Sequence, residues 1–152
     1  MPNKVYMKQI TWKFSDVTTE YPQINNGKIY ANSPNEIFKN FEFLFKDCVR
    51  EKFVVFWLNS ANRVTGFEVV SEGILNSSVV HPREVFRGAI VATCASIIIA
   101  HNHPSGNPEP STDDVQITRQ IVESGKILGI PVHDHIIFAE NSYTSFAEKG
   151  LI

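Results

Sequence analysis

Residues 96–100 form a short apolar run, Ser-Ile-Ile-Ile-Ala, that is followed at once by a polar segment rich in His, Pro and Asp. Three consecutive β-branched isoleucines are typical of a strand that is buried on both faces. A strand of this kind must be covered by other elements, so the run predicts an α/β domain with a mixed sheet. The polar segment would then lie at the carboxyl end of a central strand, where sites form in α/β proteins.

The rest of the chain alternates between strand and helix patterns around this run. We expect the chain to form a single domain. Residues 51–152 make up most of it, and the first 50 residues add a strand and a helix. The predicted elements are a β-prone stretch in residues 6–17, a turn-rich connection at 20–28, a helix capped by Ser33 and ending near residue 49 or 50, hairpin strands at 52–58 and 64–70, a helix opening at His81, a helix from Ser111 to Gly129, a strand at 132–138, and a closing turn, short helix and tail at 142–152.

Composition narrows the class of protein. The chain of 152 residues has a formal net charge of −2 and a pI near 6.2, whereas non-specific nucleic-acid binders are usually basic. The charge balance therefore does not favour nucleic acid as a partner. The start of the chain has no long apolar segment and no apolar run is long enough to cross a bilayer, so we expect no signal peptide, no membrane partner and a cytoplasmic location.

The polar segment contains residues that suit a metal site. His101 and His103 are separated by one residue just after the predicted strand, and Asp114 lies in the first turn of the next predicted helix. Two imidazoles and one carboxylate can bind a borderline divalent cation, and zinc is the cation that this donor set predicts. Three protein ligands leave one coordination position for water, which is the arrangement of catalytic zinc sites.

The same residues have a purely structural interpretation. Ser111 and Asp114 suit helix capping, because a serine N-cap and an acid in the first turn both stabilise a helix N-terminus. Both interpretations hold together, since a cap fixes the geometry that a ligand needs. Gly106 and the nearby prolines would stiffen the loop between the strand and the helix.

The spacing matches a known pattern: His-x-His, seven residues, then Ser-x-x-Asp. It resembles the JAMM metalloprotease motif, and His-Asn-His-Pro-Ser-Gly is similar to the RadC-like JAB domain. Residues 73–84, 134–137 and 145–148 also resemble segments of that family, so the likeness covers residues 51–152. It implies a cytidine-deaminase-like, JAB1-MPN fold, in which helices sandwich a mixed sheet. It also implies a zinc-dependent hydrolase that cuts a peptide or isopeptide bond, with a peptide or protein substrate and Zn²⁺ at His101, His103 and Asp114.

The resemblance also assigns two catalytic residues. Glu51 opens the strand at 52–58 and matches the family's general acid/base, which takes a proton from the metal-activated water and returns it to the leaving amine. Glu68, Glu72 and Glu84 are the rival candidates. Ser111 matches the serine of the motif, which positions the water or stabilises the developing oxyanion.

A second His-x-His, His133 and His135, lies on a predicted strand, where both side chains would point to one face and Asp134 to the other. These two histidines are expected to have a structural role or to hydrogen bond a zinc ligand.

Two other functions remain as alternatives. RadC-like proteins have long been associated with DNA repair, but the first 50 residues lack the Gly-containing hairpins of the helix-hairpin-helix element that such proteins often carry. A non-catalytic interaction module that kept the fold is the third hypothesis, and the intact metal residues argue against it.

Overall fold

A mixed five-stranded sheet forms the centre of the protein. The computed structural model describes residues 6–24, 28–73 and 80–152. The strands lie in the order β2-β1-β3-β4-β5, and β3 and β4 are parallel while the other neighbouring strands are antiparallel. The elements are α1 (Pro34–Phe41), β1 (Glu51–Leu58), β2 (Val64–Gly73), α2 (Pro82–Val91), β3 (Ser96–Asn102), α3 (Thr112–Leu128), β4 (Val132–Phe138) and β5 (Tyr143–Ser145). The predicted mixed α/β sheet is confirmed.

Helices cover both faces of this sheet. Strand β3 lies in the middle and all seven of its residues are buried. Residues of α1 pack with Val54, Phe56 and Ile98 on one face. Residues of α2 and α3 pack with Val55 and Ile99 on the other, because side chains alternate between the two faces along each strand. The predicted sheet sandwiched by helices is therefore present, with a separate apolar core on each side.

The first helix ends earlier than the sequence predicts. Its start is as expected, since the Ser33 hydroxyl accepts a hydrogen bond from the Glu36 N–H at 3.3 Å. The α-helix ends at Phe41, and a 3-10 helix (Glu42–Leu44) and a turn replace its predicted last part. A 3-10 turn brings residues i and i+3 to one side, so the apolar spacing continues beyond the α-helix and periodicity overestimates its length.

Both ends of the chain differ from the prediction. The described part of the β-prone stretch forms no strand, and Tyr6 and Ile10 are 81% and 71% exposed. β-propensity needs a neighbouring strand to pack against, and none of the described strands pairs with this stretch. At the other end, β5 and a turn replace the predicted short helix. The Ser145 hydroxyl and the Ala147 N–H both donate hydrogen bonds to the Asp134 carboxylate, which holds this segment next to β4.

Some predictions lie partly outside the described residues. Of the turn-rich connection, residues 22–24 form a 3-10 helix (Pro22–Ile24), and residues 25–27 are not described. Of the family-like segment at 73–84, residues 74–79 are likewise outside the described part. Among the described helices, none is long and apolar enough to cross a membrane.

Candidate metal centre

The end of β3 positions the two histidines. We expected both to follow the strand, but His101 is still within it, paired with Phe53 of β1 and Ile137 of β4. Hydrogen bonding to β4 continues beyond the end of β3, because the His103 N–H donates to the Phe138 carbonyl at 2.8 Å. Strand pairing on both sides therefore fixes the backbone of His101, and pairing with β4 fixes that of His103.

The N-terminus of α3 positions the carboxylate. The Ser111 hydroxyl accepts from the Asp114 N–H at 3.0 Å, and the Asp114 carboxylate accepts from the Ser111 N–H at 2.9 Å. This reciprocal capping box satisfies two helix N–H groups and holds the Asp114 side chain in one rotamer. Capping therefore orients the carboxylate that the motif predicts as a ligand.

The three predicted ligands converge. His101 Nε2 lies 3.2 Å from Asp114 Oδ1, His103 Nε2 lies 3.1 Å from Asp114 Oδ2, and the two Nε2 atoms are 3.0 Å apart. All candidate ligand atoms lie within 4.8 Å of one another. The His101 side chain is 2% exposed, whereas those of His103 and Asp114 are each 13% exposed. The cluster is thus closed on the His101 side and reachable from solvent on the other.

The partner of His103 fixes which of its nitrogens carries a proton. His103 Nδ1 lies 2.8 Å from the Asn107 carbonyl, which can only accept a hydrogen bond. Nδ1 must therefore carry the hydrogen, and in the neutral ring Nε2 presents its lone pair to the cluster. The loop that contains Asn107 thus supplies a metal-ready tautomer.

A buried chain of hydrogen bonds does the same for His101. The Thr118 hydroxyl donates to the Asp114 carbonyl at 2.6 Å, so its oxygen accepts from His135 Nδ1. His135 Nε2 is then an acceptor, and it lies 2.7 Å from His101 Nδ1, which must donate. His101 Nε2 therefore also presents a lone pair to the cluster. Such outer hydrogen bonds orient metal-binding histidines in proteins.

The pKa values agree with this arrangement. Burial and the neighbouring His101 lower the pKa of His135 well below its ordinary value, so this ring is neutral. The hydrogen bond to Asp114 raises the pKa of His103, although burial opposes it. Burial alone would raise the pKa of Asp114, but its hydrogen bonds with His101 and His103 outweigh burial and hold this pKa far below the usual range.

This donor set fits a metal ion. Two imidazole lone pairs and a carboxylate face one another, and all three are acceptors, so a positive charge is needed between them. Without a metal a proton on His103 would supply it, which explains the raised pKa. Zinc binds this combination of nitrogen and oxygen donors, and three protein ligands leave a place for a fourth.

Glu51 lies on the same face of the sheet as the cluster. Phe53 is the partner of His101 and stacks on its ring, with the ring centres 6.2 Å apart. Glu51 precedes Phe53 by two residues, so its side chain points to the same face, toward the end of β3 that carries His103. Its charge contributes to the raised pKa of His103, after the larger effects of Asp114 and Asn107.

The three rival glutamates lie elsewhere. Glu72 pairs with Lys52 in the register between β1 and β2, which places it on the opposite face from Glu51, and it also lies 3.5 Å from the Lys52 ammonium. Glu68 forms an ion pair with Arg87 at 2.9 Å. Glu84 is in the first turn of α2. Glu51 as the general acid/base stays a prediction, and so does the catalytic role of Ser111.

The second His-x-His does not have both side chains on one face. A register shift between β3 and β4 places His133 in an irregularity, and His133 is exposed while His135 is fully buried. Asp134 is also buried, and burial raises its pKa although it accepts hydrogen bonds from Ser145, Ala147 and the His135 N–H. Of the two histidines, only His135 hydrogen bonds a predicted ligand.

Two polar residues of the site were not singled out from the sequence. Thr118 lies four residues after Asp114, so it is on the same side of α3, and a polar residue between Ile117 and Ile121 on the buried face was the available signal. Asn102 lies between the two histidines and is 4% exposed. Its position in the motif was visible, but its partners could not be read from the sequence.

Comparisons with known proteins agree with the site. The family model described as the RadC-like JAB domain matches residues 31–151. A protein of Pelobacter propionicus named UPF0758 protein is 48% identical over 120 residues, which is 79% of this chain and 52% of that protein. Proteins of the same name from Salinibacter ruber and Methanosarcina mazei are 49% identical over 125 residues and 42% over 129, covering 82% and 85% of this chain and 54% and 56% of those proteins.

The chain spans about half the length of the curated relatives that it matches. The matched residues include all of β1 to β5 and the candidate ligands His101, His103 and Asp114. The architecture of a mixed five-stranded sheet between three helices agrees with a JAB/MPN-like fold. On the family match, this chain belongs to the RadC-like JAB domain family.

Proposed function

We propose that this domain is a metal-dependent hydrolase that cuts an amide or isopeptide bond in a peptide or protein, with Zn²⁺ held by His101, His103 and Asp114. One observation carries the proposal: three acceptor atoms, from β3, from the residue after it and from α3, converge within 4.8 Å, with tautomers that direct both imidazole lone pairs inward. Membership of the JAB family supports the reaction class.

The bound metal would supply Lewis acidity, which lowers the pKa of a water to about 7 and polarises the carbonyl under attack. The role of Glu51 is to take a proton from the attacking water and to deliver it to the leaving amine. Its place on the His101 face, near His103, supports this role.

Ser111 is the second proposed catalytic group. Its oxygen accepts the Asp114 N–H in the helix cap, and its hydroxyl hydrogen remains for donation. A hydroxyl at a helix N-terminus can stabilise an oxyanion that develops on the carbonyl oxygen. Ser111 is exposed, and the His103 and Asp114 side chains are each partly open to solvent.

Metal analysis tests the site. The purified protein should contain one equivalent of zinc, and His103→Ala should lose it, because two ligands hold the ion poorly. His133→Ala is the matched control, since His133 belongs to the other His-x-His, is exposed, and should keep the metal. Equal zinc in all three proteins would contradict the proposed ligands.

Activity tests the reaction. On a library of peptides and isopeptides, the zinc-loaded protein should cleave at least one bond, and Glu51→Gln should lower kcat by roughly 10²–10⁴-fold with zinc retained. Glu72→Gln, on the opposite face of the sheet, is the matched control and should leave kcat unchanged. An inactive zinc-loaded protein that binds DNA with a steep salt dependence would instead support the nucleic-acid alternative.

A further inference from the structure

Asn102 contacts the main chain on both sides of Glu51. Its side-chain oxygen accepts a hydrogen bond from the Lys52 N–H at 2.7 Å, and its amide nitrogen donates to the Arg50 carbonyl at 3.1 Å. These two groups belong to the residues that flank Glu51. Asn102 is 4% exposed, so its side of both hydrogen bonds is shielded from competing water, while the Arg50 and Lys52 partners are more open.

This contact lies where the regular ladder stops. The pairing between β1 and β3 ends at Phe53 and His101, while the chain after His101 follows β4 instead. Glu51 is paired with Gly73 of β2 on its other side. On the β3 side, the Asn102 amide therefore replaces the backbone ladder and holds the start of β1 against the strand that carries the histidines.

The chemistry of the two hydrogen bonds requires an amide. One partner is an N–H donor and the other is a carbonyl acceptor, so the side chain must accept at one atom and donate at the other. Aspartate could accept from Lys52 but would set a carboxylate oxygen against the Arg50 carbonyl. Asparagine meets both needs in one rigid plane.

The alternation of side chains separates this contact from the metal cluster. Asn102 follows His101 in the strand, so its side chain leaves the opposite face, toward β1's first residues, and it touches none of the predicted ligands in the described hydrogen bonds. Apart from its own peptide bonds to His101 and His103, Asn102 is linked to the site through the backbone that carries Glu51.

We propose that Asn102 is the positioning residue for Glu51: its side-chain amide clamps the peptide groups on both sides of Glu51 and so holds the carboxylate beside the metal cluster. The inference rests on the proposed function for its catalytic meaning. Asn102 would not contact the reacting atoms, and its effect on the site would vanish when Glu51 has no charge to position.

A double-mutant cycle with Co²⁺ in place of Zn²⁺ tests this without any substrate. The visible absorption of bound Co²⁺ should change with pH as a water on the ion loses a proton. Glu51→Gln should lower the midpoint of this change by about one pH unit, because a nearby negative charge that disfavours hydroxide is removed. Asn102→Ala should lower it by less, and the double variant should match Glu51→Gln alone. Asn141→Ala, an exposed asparagine in the turn after β4, should match the wild type.

Two further measurements separate positioning from a general loss of structure. Metal affinity in Asn102→Ala, measured by competition with a chromophoric chelator, should stay within about twofold of wild type, whereas loss of an outer hydrogen bond to a ligand costs 10–100-fold. Asn102→Leu, which has a similar volume, forms neither hydrogen bond and adds no charge, should behave like Asn102→Ala.

The outcomes distinguish the two proposals. An equal midpoint shift from Asn102→Ala with and without Glu51, or no shift at all, would overturn the positioning role and leave the hydrolase proposal intact. A non-additive cycle in a protein that cleaves no library member would support the positioning role and count against the hydrolase. A wild-type protein that binds no Co²⁺ would overturn both.

Discussion

The tautomers of His101 and His103 depend on two backbone carbonyls. The Asn107 carbonyl lies against His103 Nδ1, and the Asp114 carbonyl lies three hydrogen bonds away from His101, beyond His135 and Thr118. A carbonyl can only accept, so each chain of hydrogen bonds has one direction. Both directions leave the Nε2 lone pairs facing the carboxylate.

Thr118→Val tests this relay at the level of one hydroxyl. Valine keeps the shape but removes the donor and acceptor, so His135 loses its partner and His101 its fixed tautomer. We expect zinc affinity to fall about 10–100-fold by chelator competition. Thr118→Ser keeps the hydroxyl and should restore most of the affinity; equal affinities in the two variants would rule out the relay.

Helix α3 carries the site at one end and close packing near the other. Its N-terminus holds Asp114 in the capping box, and its C-terminus ends at Gly129 in the left-handed conformation, with φ +71°. Near that end, a Cβ on Gly125 would lie 2.5 Å from the Ile130 carbonyl. The helix can therefore approach the segment before β4 closely only because residue 125 is glycine.

Gly125→Ala sets helix propensity against this contact. Alanine should favour the helix by about 1 kcal/mol, whereas overpacking against a backbone atom costs about 1–3 kcal/mol. We expect a net loss in the free energy of unfolding, measured by urea denaturation. Gln120→Ala, exposed on the same helix, should change it by less than about 0.5 kcal/mol. A more stable Gly125→Ala protein would mean that the helix shifts freely.

Strand β5 depends on the Asp134 carboxylate. This group accepts hydrogen bonds from the Ser145 hydroxyl at 2.6 Å and from the Ala147 N–H at 2.9 Å. Asp134→Ala leaves the Ser145 hydroxyl buried without an acceptor and removes the acceptor of the Ala147 N–H, which should destabilise the protein by about 1–3 kcal/mol in urea denaturation. Glu140→Ala, exposed after β4, is the control, and similar losses in the two variants would contradict this role.

For the whole molecule, a metal at the proposed site would link the end of β3 to α3, so metal binding and protonation of His103 should have competing effects on the free energy of unfolding. Asp114 raises the pKa of His103, and a cation can bind His103 only after that proton leaves. Without metal, the protonated His103 stabilises the fold below about pH 6.5, and this contribution is lost as the pH rises through the raised pKa. The depressed pKa of Asp114 adds stability above about pH 4 that is lost only in stronger acid.

Thermal unfolding should therefore show a metal effect that grows with pH. With zinc at 100 times its Kd, stabilisation is about 2.7 kcal/mol, or roughly 5–10 °C in Tm for a domain of this size. The fall in Tm on adding a chelator should increase from pH 6 to pH 8. At the higher pH fewer His103 side chains carry a proton that the metal must displace. His101→Ala should show no chelator effect, and a shift that shrinks with rising pH would contradict proton competition at His103.

Local patterns in the sequence predicted most of the elements and the three side chains that converge at the candidate site. The ends of α3 follow from Ser111 and Gly129, and the burial of β3 from its three isoleucines, since both depend on residues close in the chain. The spacing of His101, His103 and Asp114 likewise lies within one strand-loop-helix unit, so the sequence alone indicated a metal site.

Tertiary structure decided what depends on register and on distant partners. The end of α1, the formation of β5 and the exposure of His133 follow from contacts that no local pattern contains. The nearness of Glu51 to His103 and the clamp of Asn102 around it require the antiparallel register of β1 and β3, which joins residues about 50 positions apart. Short-range preferences determine which elements and ligand types form, whereas long-range pairing determines which neighbours orient them.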